Sequence, residues 1–144
     1  MTSRVVSLCD AIIAKLKLTN LPLEASFGRT YLPILELETS GILSVTLVPK
    51  KHELEFDNRS GVRSLVEIDL GIQKKLAVIT NESIDPLMEF CEEIVDAFAF
   101  GFVSNGYTLT TPTISILYHL EHLHKLRQFT AVVTLGFTCT YEPD

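Results

Sequence analysis

Residues 129–141 alternate without a break between two kinds of side chain. Phe129, Ala131, Val133, Leu135, Phe137 and Cys139 fall on one parity; Thr130, Val132, Thr134, Gly136, Thr138 and Thr140 fall on the other. Successive side chains of a strand point to opposite faces, so this stretch reads as one long strand with an apolar and a more polar face. Residues 65–74 repeat the pattern, with Val66, Ile68, Leu70 and Ile72 set against Glu67, Asp69, Gly71 and Gln73. A strand with one wet face suits an antiparallel sheet, because parallel sheets are covered on both sides. The chain is therefore committed to a sheet whose apolar face needs a cover.

Helical periodicity supplies that cover. Residues 3–17 place Val5, Cys9, Ile12, Ile13 and Leu16 at helical spacing, behind a cap at Thr2 or Ser3. Lys15 and Lys17 stand near its end, where cations suit the helix dipole, and Asn20-Leu21-Pro22 terminates it. A second helix is expected from Asp85-Pro86 to about residue 100, stopped by Gly101, with Leu87, Phe90, Cys91, Ile94 and Phe98 as its apolar stripe.

The remaining segments read as strands and connectors. Residues 25–38 suggest a strand pair broken around Pro33, residues 42–48 a strand stopped by Pro49, and residues 113–118 a further strand. Residues 102–112 read as loop. Residues 50–64 are heavily charged and end in Asn58-Arg59-Ser60-Gly61, so they read as an exposed arm between two strands. The order helix, strands, helix, strands predicts a single α+β domain over residues 1–144: a two-layer sandwich, mainly antiparallel, with two helices packed on one face.

Composition narrows function mainly by exclusion. An apolar fraction of 47% rules out disorder, and a net charge of −6 disfavours broad wrapping of a polyphosphate. Cys9, Cys91 and Cys139 are odd in number and lack a C-x-x-C pair, which reads as reduced, buried thiols of a cytosolic protein. The opening apolar stretch is cut short by Asp10, so export is not indicated, and no window is long and apolar enough for a membrane span.

The sequence holds no glycine-rich phosphate loop and no G-x-S-x-G elbow. Cys91 lies on the apolar stripe of the second helix, where a thiol is structural rather than nucleophilic. Tyr118-His119-Leu120-Glu121-His122-Leu123-His124 holds three of the four histidines. His119, His122 and His124 are candidates for zinc or iron; the simpler reading is a polar connector between the last two strands. No catalytic residue, metal site or cofactor is expected.

Charge distribution is more telling. Residues 82–96 carry Glu82, Asp85, Glu89, Glu92, Glu93 and Asp96 with no cation, matching the whole net charge of −6. Glu89, Glu92, Glu93 and Asp96 fall at i, i+3, i+4 and i+7, one acidic stripe whose like charges a cationic partner would relieve. Lys50, Lys51, Arg59, Arg63, Lys74 and Lys75 lie in or beside the arm. A basic arm and an acidic helix face on one subunit suit a head-to-tail contact, which closes into a ring or extends into a filament.

Several stretches carry a resemblance to a known family. Val45-Thr46-Leu47-Val48-Pro49 ends the early strands, and Val66-Glu67-Ile68-Asp69-Leu70-Gly71-Ile72-Gln73-Lys74-Lys75 stands like that family's central strand. Ile84-Asp85-Pro86-Leu87 opens a helix, and Gln128-Phe129-Thr130-Ala131-Val132-Val133-Thr134-Leu135 begins the closing strand. This order resembles the tail terminator, or tail completion, proteins of long-tailed bacteriophages. The resemblance implies a structural virion protein, assembled in the host cytoplasm, that forms a hexameric ring on the head-proximal end of the tail tube. Such a ring stops tube growth and docks the head-side connector or stopper protein. Its partners would be copies of itself, the tail tube protein and that connector, with DNA only as cargo through the lumen and no membrane contact. The expected subunit or tube contacts are Lys50, Lys51, Arg59, Arg63, Glu89, Glu92, Glu93 and Asp96. Alternatives are another neck component, or a small metal-binding enzyme using the histidines.

Overall fold

A computed structural model of the chain describes residues 3–37, 41–56, 61–99, 101–104 and 106–141. Its elements are α1 (Arg4–Leu18), β1 (Ser26–Arg29), a 3₁₀ turn (Ile34–Glu36), β2 (Ser44–Phe56), β3 (Val62–Lys75), α2 (Asn81–Ala97), β4 (Val103–Ser104), β5 (Tyr107–Ile116), α3 (Leu120–Leu126) and β6 (Gln128–Tyr141). The strands form one sheet in the order β1-β2-β3-β6-β5-β4. Every pairing is antiparallel except that of β1 with β2. The protein is thus a mixed helix-and-strand fold around a mainly antiparallel sheet.

The two alternating segments form its centre. β3 and β6 pair from Val62↔Tyr141 to Lys75↔Gln128, and Val66, Ile68, Leu70, Ile72, Ala131, Val133 and Leu135 are buried. The same core receives Leu8, Cys9, Ile12 and Leu16 from α1 and Leu87, Phe90, Cys91 and Ile94 from α2. Ser3 caps α1, its Oγ accepting from the Val6 N–H at 3.4 Å.

α2 begins earlier than the Asp85-Pro86 pair suggests. Thr80 Oγ1 accepts from Ser83 N–H at 3.2 Å while Ser83 Oγ accepts from Thr80 N–H at 2.9 Å. This reciprocal cap satisfies two orphan donors and outweighs the one hydrogen bond that Pro86 forfeits inside the helix. The helix ends at Ala97, and Gly101, at φ +91°, takes the left-handed turn that follows.

Four other expectations need correction. The strand pair over residues 25–38 reduces to β1, because Pro33 accepts from Glu36 N–H and starts the 3₁₀ turn. Pro49 does not stop β2. It sits at a bulge beyond the reach of β1, which pairs only as far as Leu47, so on that open edge its missing N–H costs no ladder bond. Residues 102–112 are not all loop: β5 starts at Tyr107, and Tyr107 and Leu109 are buried. The histidine connector contains a short helix, α3, whose cap is His119 Nδ1 accepting from His122 N–H at 3.3 Å.

The expected arm over residues 50–64 is strand where it is described. Residues 51–56 are all exposed, but they are strand, paired with β3 from Lys51↔Glu67 to Phe56↔Val62. Residues 57–60, Arg59 among them, lie outside the described residues. The bulge rephases β2: Val45 and Leu47 enter the core before it, and His52, Leu54 and Phe56 follow on the face shared by Val66, Ser64 and Val62.

The other face of the sheet is less wet than its sequence suggests. Ile34 from the 3₁₀ turn packs with Val48, Val132 and Ile116 in a second, smaller cluster. A Cβ on Gly71 would lie 2.7 Å from Ile34 Cγ2, so glycine is what lets the turn approach β3. Gln73, expected on a solvated face, is buried there.

Candidate interaction surfaces and the histidine cluster

The acidic stripe is where helical spacing puts it. Glu89, Glu92, Glu93 and Asp96 are exposed along α2, opposite the buried Leu87, Phe90, Cys91 and Ile94. None of the four makes an ion pair among the described residues.

The cations of the arm are differently placed. Lys51 Nζ lies 2.9 Å from Glu53 Oε1, and that hydrogen bond raises the Lys51 pKa. Arg63 lies 3.9 Å from Glu55, and Lys50 lies 4.0 Å from Asp69. Each described cation of the arm therefore has a carboxylate in its own subunit, and the arm is close to neutral rather than a free basic strip. Its conspicuous feature is apolar: Phe56 is 79% exposed and Leu54 46%. In the sequence Leu54 and Phe56 alternate with Glu53, Glu55 and Asp57 and read as an extended segment, but how much of either side chain stays uncovered is set only by the fold.

The histidines do not converge. His122 is buried, and its Nε2 lies 2.7 Å from the Leu35 carbonyl, which can only accept, so Nε2 carries the proton. Nδ1 then accepts from Thr130 Oγ1 at 2.8 Å, and both ring nitrogens are used. Gln73 Nε2 donates to the Ile34 and Leu37 carbonyls, and Gln128 Nε2 donates to Leu37 O and Thr130 Oγ1. These side chains fasten the 3₁₀ turn and α3 to the second face of the sheet. His119 spends Nδ1 on the helix cap, and His124 is exposed two residues beyond His122. No three metal-ligating side chains come together among the described residues.

One further constellation escaped the sequence. His52 Nε2 lies 2.8 Å from Ser64 Oγ, which lies 2.8 Å from Tyr107 OH. A serine beside a histidine invites a nucleophile reading, but Ser64 is fully buried and Tyr107 is 1% exposed, so no substrate reaches the hydroxyl. The chain of hydrogen bonds ties β2, β3 and β5 together within the arm itself, where Ser64 stands opposite Leu54. The residues are far apart in sequence, so only the folded sheet reveals them.

Burial pushes the Cys9 thiol up to about 11 and the Cys91 thiol up to about 12. Both are poor nucleophiles at neutral pH. No helix among the described residues is long and apolar enough to cross a membrane. The chain matches no protein-family model and none of the curated proteins compared with it.

Proposed function

We propose that this chain is a structural protein that associates with copies of itself, forming a ring of the kind built by phage tail terminators at the head-proximal end of a tail tube. In this reading the fold is a two-layer sandwich, α1 and α2 lie on one face of the sheet, and the exposed outer half of β2 meets neighbouring subunits. The ring would be a hexamer in the virion neck, meeting the tail tube protein on one side and a head-side connector on the other, with DNA passing through.

The observation that carries the proposal is the exposed arm. Residues 51–56 are the outer half of an edge strand, exposed although their partner β3 is paired with β6 and buried at Val62, Ser64 and Val66. An open edge with Phe56 and Leu54 uncovered is the expected form of a surface completed by another molecule. The unpaired acidic face of α2 supplies a second contact surface for a cationic neighbour. The metal-enzyme alternative loses support because His122 has no lone pair to offer. Another neck component remains the second reading, since it would use the same surfaces.

Electron microscopy of the purified protein tests the proposal. Closed rings are expected; a field of isolated particles at every concentration would contradict it. The double substitution Glu92→Lys, Glu93→Lys should weaken assembly while leaving the fold intact, because exposed charges change stability by only about 0.5 kcal/mol. Unchanged assembly would remove the α2 stripe from the interface.

A further inference from the structure

Folding sorts the cations flanking β2 and β3 into two sets. Lys50, Lys51 and Arg63 each stand within 4.0 Å of a carboxylate of their own subunit. Lys74 and Lys75 do not, and β3 carries them to its far end, about 40 Å from Val62. The start of β6 meets them there. Lys75 pairs with Gln128, and Leu76 N–H donates to the Arg127 carbonyl at 2.7 Å. Arg127 Nη1 donates to the Ala77 carbonyl at 3.4 Å, and Lys125 stands just before it in the last turn of α3. Lys75, Lys125 and Arg127 are exposed. Two carboxylates stand on the adjoining helices, Glu82 on α2 and Glu121 on α3. Neither comes within 4.0 Å of a cation, so Lys74, Lys75, Lys125 and Arg127 make no ion pair among the described residues.

We propose that this basic end of the sheet receives the acidic face of α2, from Glu89 to Asp96, of a second copy of the chain. The proposal rests on the head-to-tail reading above and names its electrostatic joint.

The contact cannot close within one subunit. Lys74 and Lys75 line a cavity together with Glu82, Ser83, Pro86 and Leu87, so they lie at the start of α2. At ~1.5 Å per residue the stripe from Glu89 to Asp96 lies roughly 10–20 Å further along the helix than Glu82. Both sets of charges therefore stay unpaired in the single chain.

Charge complementarity selects the occupant. The four carboxylates repel one another along one exposed helix face, and the four cations crowd one end of the sheet. Acid against acid, or base against base, is unfavourable, so neither patch can meet its own copy in a two-fold contact. The favourable contact joins different surfaces of successive copies, the arrangement that closes into a ring or runs on as a filament. Exposed charges are individually weak, so this joint sets partner and orientation, and the apolar edge at Leu54 and Phe56 supplies adhesion.

Exchanging the charges tests the contact. Glu92→Lys with Glu93→Lys, and separately Lys75→Glu with Lys125→Glu, should each raise the concentration for half-dissociation at least about tenfold. All four substitutions in one chain should bring it back to within about threefold of wild type, because each new cation again meets a carboxylate. The four side chains are exposed, so thermal midpoints should not move. Without any variant, raising salt from about 0.05 to 0.5 M should weaken wild-type assembly about tenfold. A fourfold variant that assembles no better than either double variant would overturn this contact while leaving self-association in place. So would a Lys75→Glu, Lys125→Glu chain that assembles like wild type, which would assign the basic end to some other anion, or assembly indifferent to salt. A wild-type chain that never associates would overturn both readings.

Discussion

The two ends of the β2–β3 ladder have the same backbone pairing and opposite fates. At the lower end Val45, Leu47, Ile68, Leu70 and Ile72 are 0% exposed, whereas at the upper end Leu54 and Phe56 keep 46% and 79% of their surface. The switch falls at the Pro49/Lys51 bulge, which keeps the apolar side chains on one face while the strand runs beyond the core. Backbone pairing alone is indifferent to function. What distinguishes the ends is β2 alone: below, both strands are buried; above, Val62, Ser64 and Val66 of β3 stay buried beside β6 while Leu54 and Phe56 of β2 are left uncovered.

That contrast can be broken or sharpened by substitution. The largest effect belongs to the lower end: Leu70→Ala should cost about 2–5 kcal/mol, read as a fall in the denaturant midpoint, because it opens a cavity in a closed core. Next comes the buried polar lattice on the second face. Gln73→Ala removes the donor shared by the Ile34 and Leu37 carbonyls and should cost about 1–3 kcal/mol by chemical denaturation. Thr80→Ala removes half of the α2 cap and should cost ~1 kcal/mol, visible as earlier thermal loss of helix signal. At the upper end Leu54→Ala should change stability by less than about 0.5 kcal/mol, and a larger loss would mean that the arm is part of the subunit's own core.

pH offers a separate handle on the closed end. Cys9 and Cys91 titrate near pH 9 when unfolded and at about 11 and about 12 when folded, because burial disfavours the thiolate. Their contribution to stability is complete below about pH 9 and is lost as pH rises through the folded values. Alkylation of native protein at pH 8 should therefore spare both thiols, while unfolded protein labels at both.

The parts legible in the sequence were those where side-chain period and burial agree. β3 and β6 declare themselves by alternation, α1 and α2 by their stripes, and the acidic face of α2 by four carboxylates at helical spacing. Misreadings came where a local signal competed with distant contacts. Pro49 is a strand breaker by rule, yet it stands where β2 has only one neighbour. Asp85-Pro86 makes a plausible helix start, but Thr80 and Ser83 form a better one. Gly71 and Gln73 look solvated until Ile34, far off in sequence, closes over them. The candidate interface was half visible: its charges were, while the exposure of Phe56 depends on how far β2 outruns the helices.

Self-association of the chain is open to one decisive measurement. Light scattering of the purified protein over a wide concentration range tests it most directly. A discrete multiple of the 16.1 kDa chain is expected, dissociating on dilution and lost first in Phe56→Ala. A mass of one chain throughout that range would contradict it.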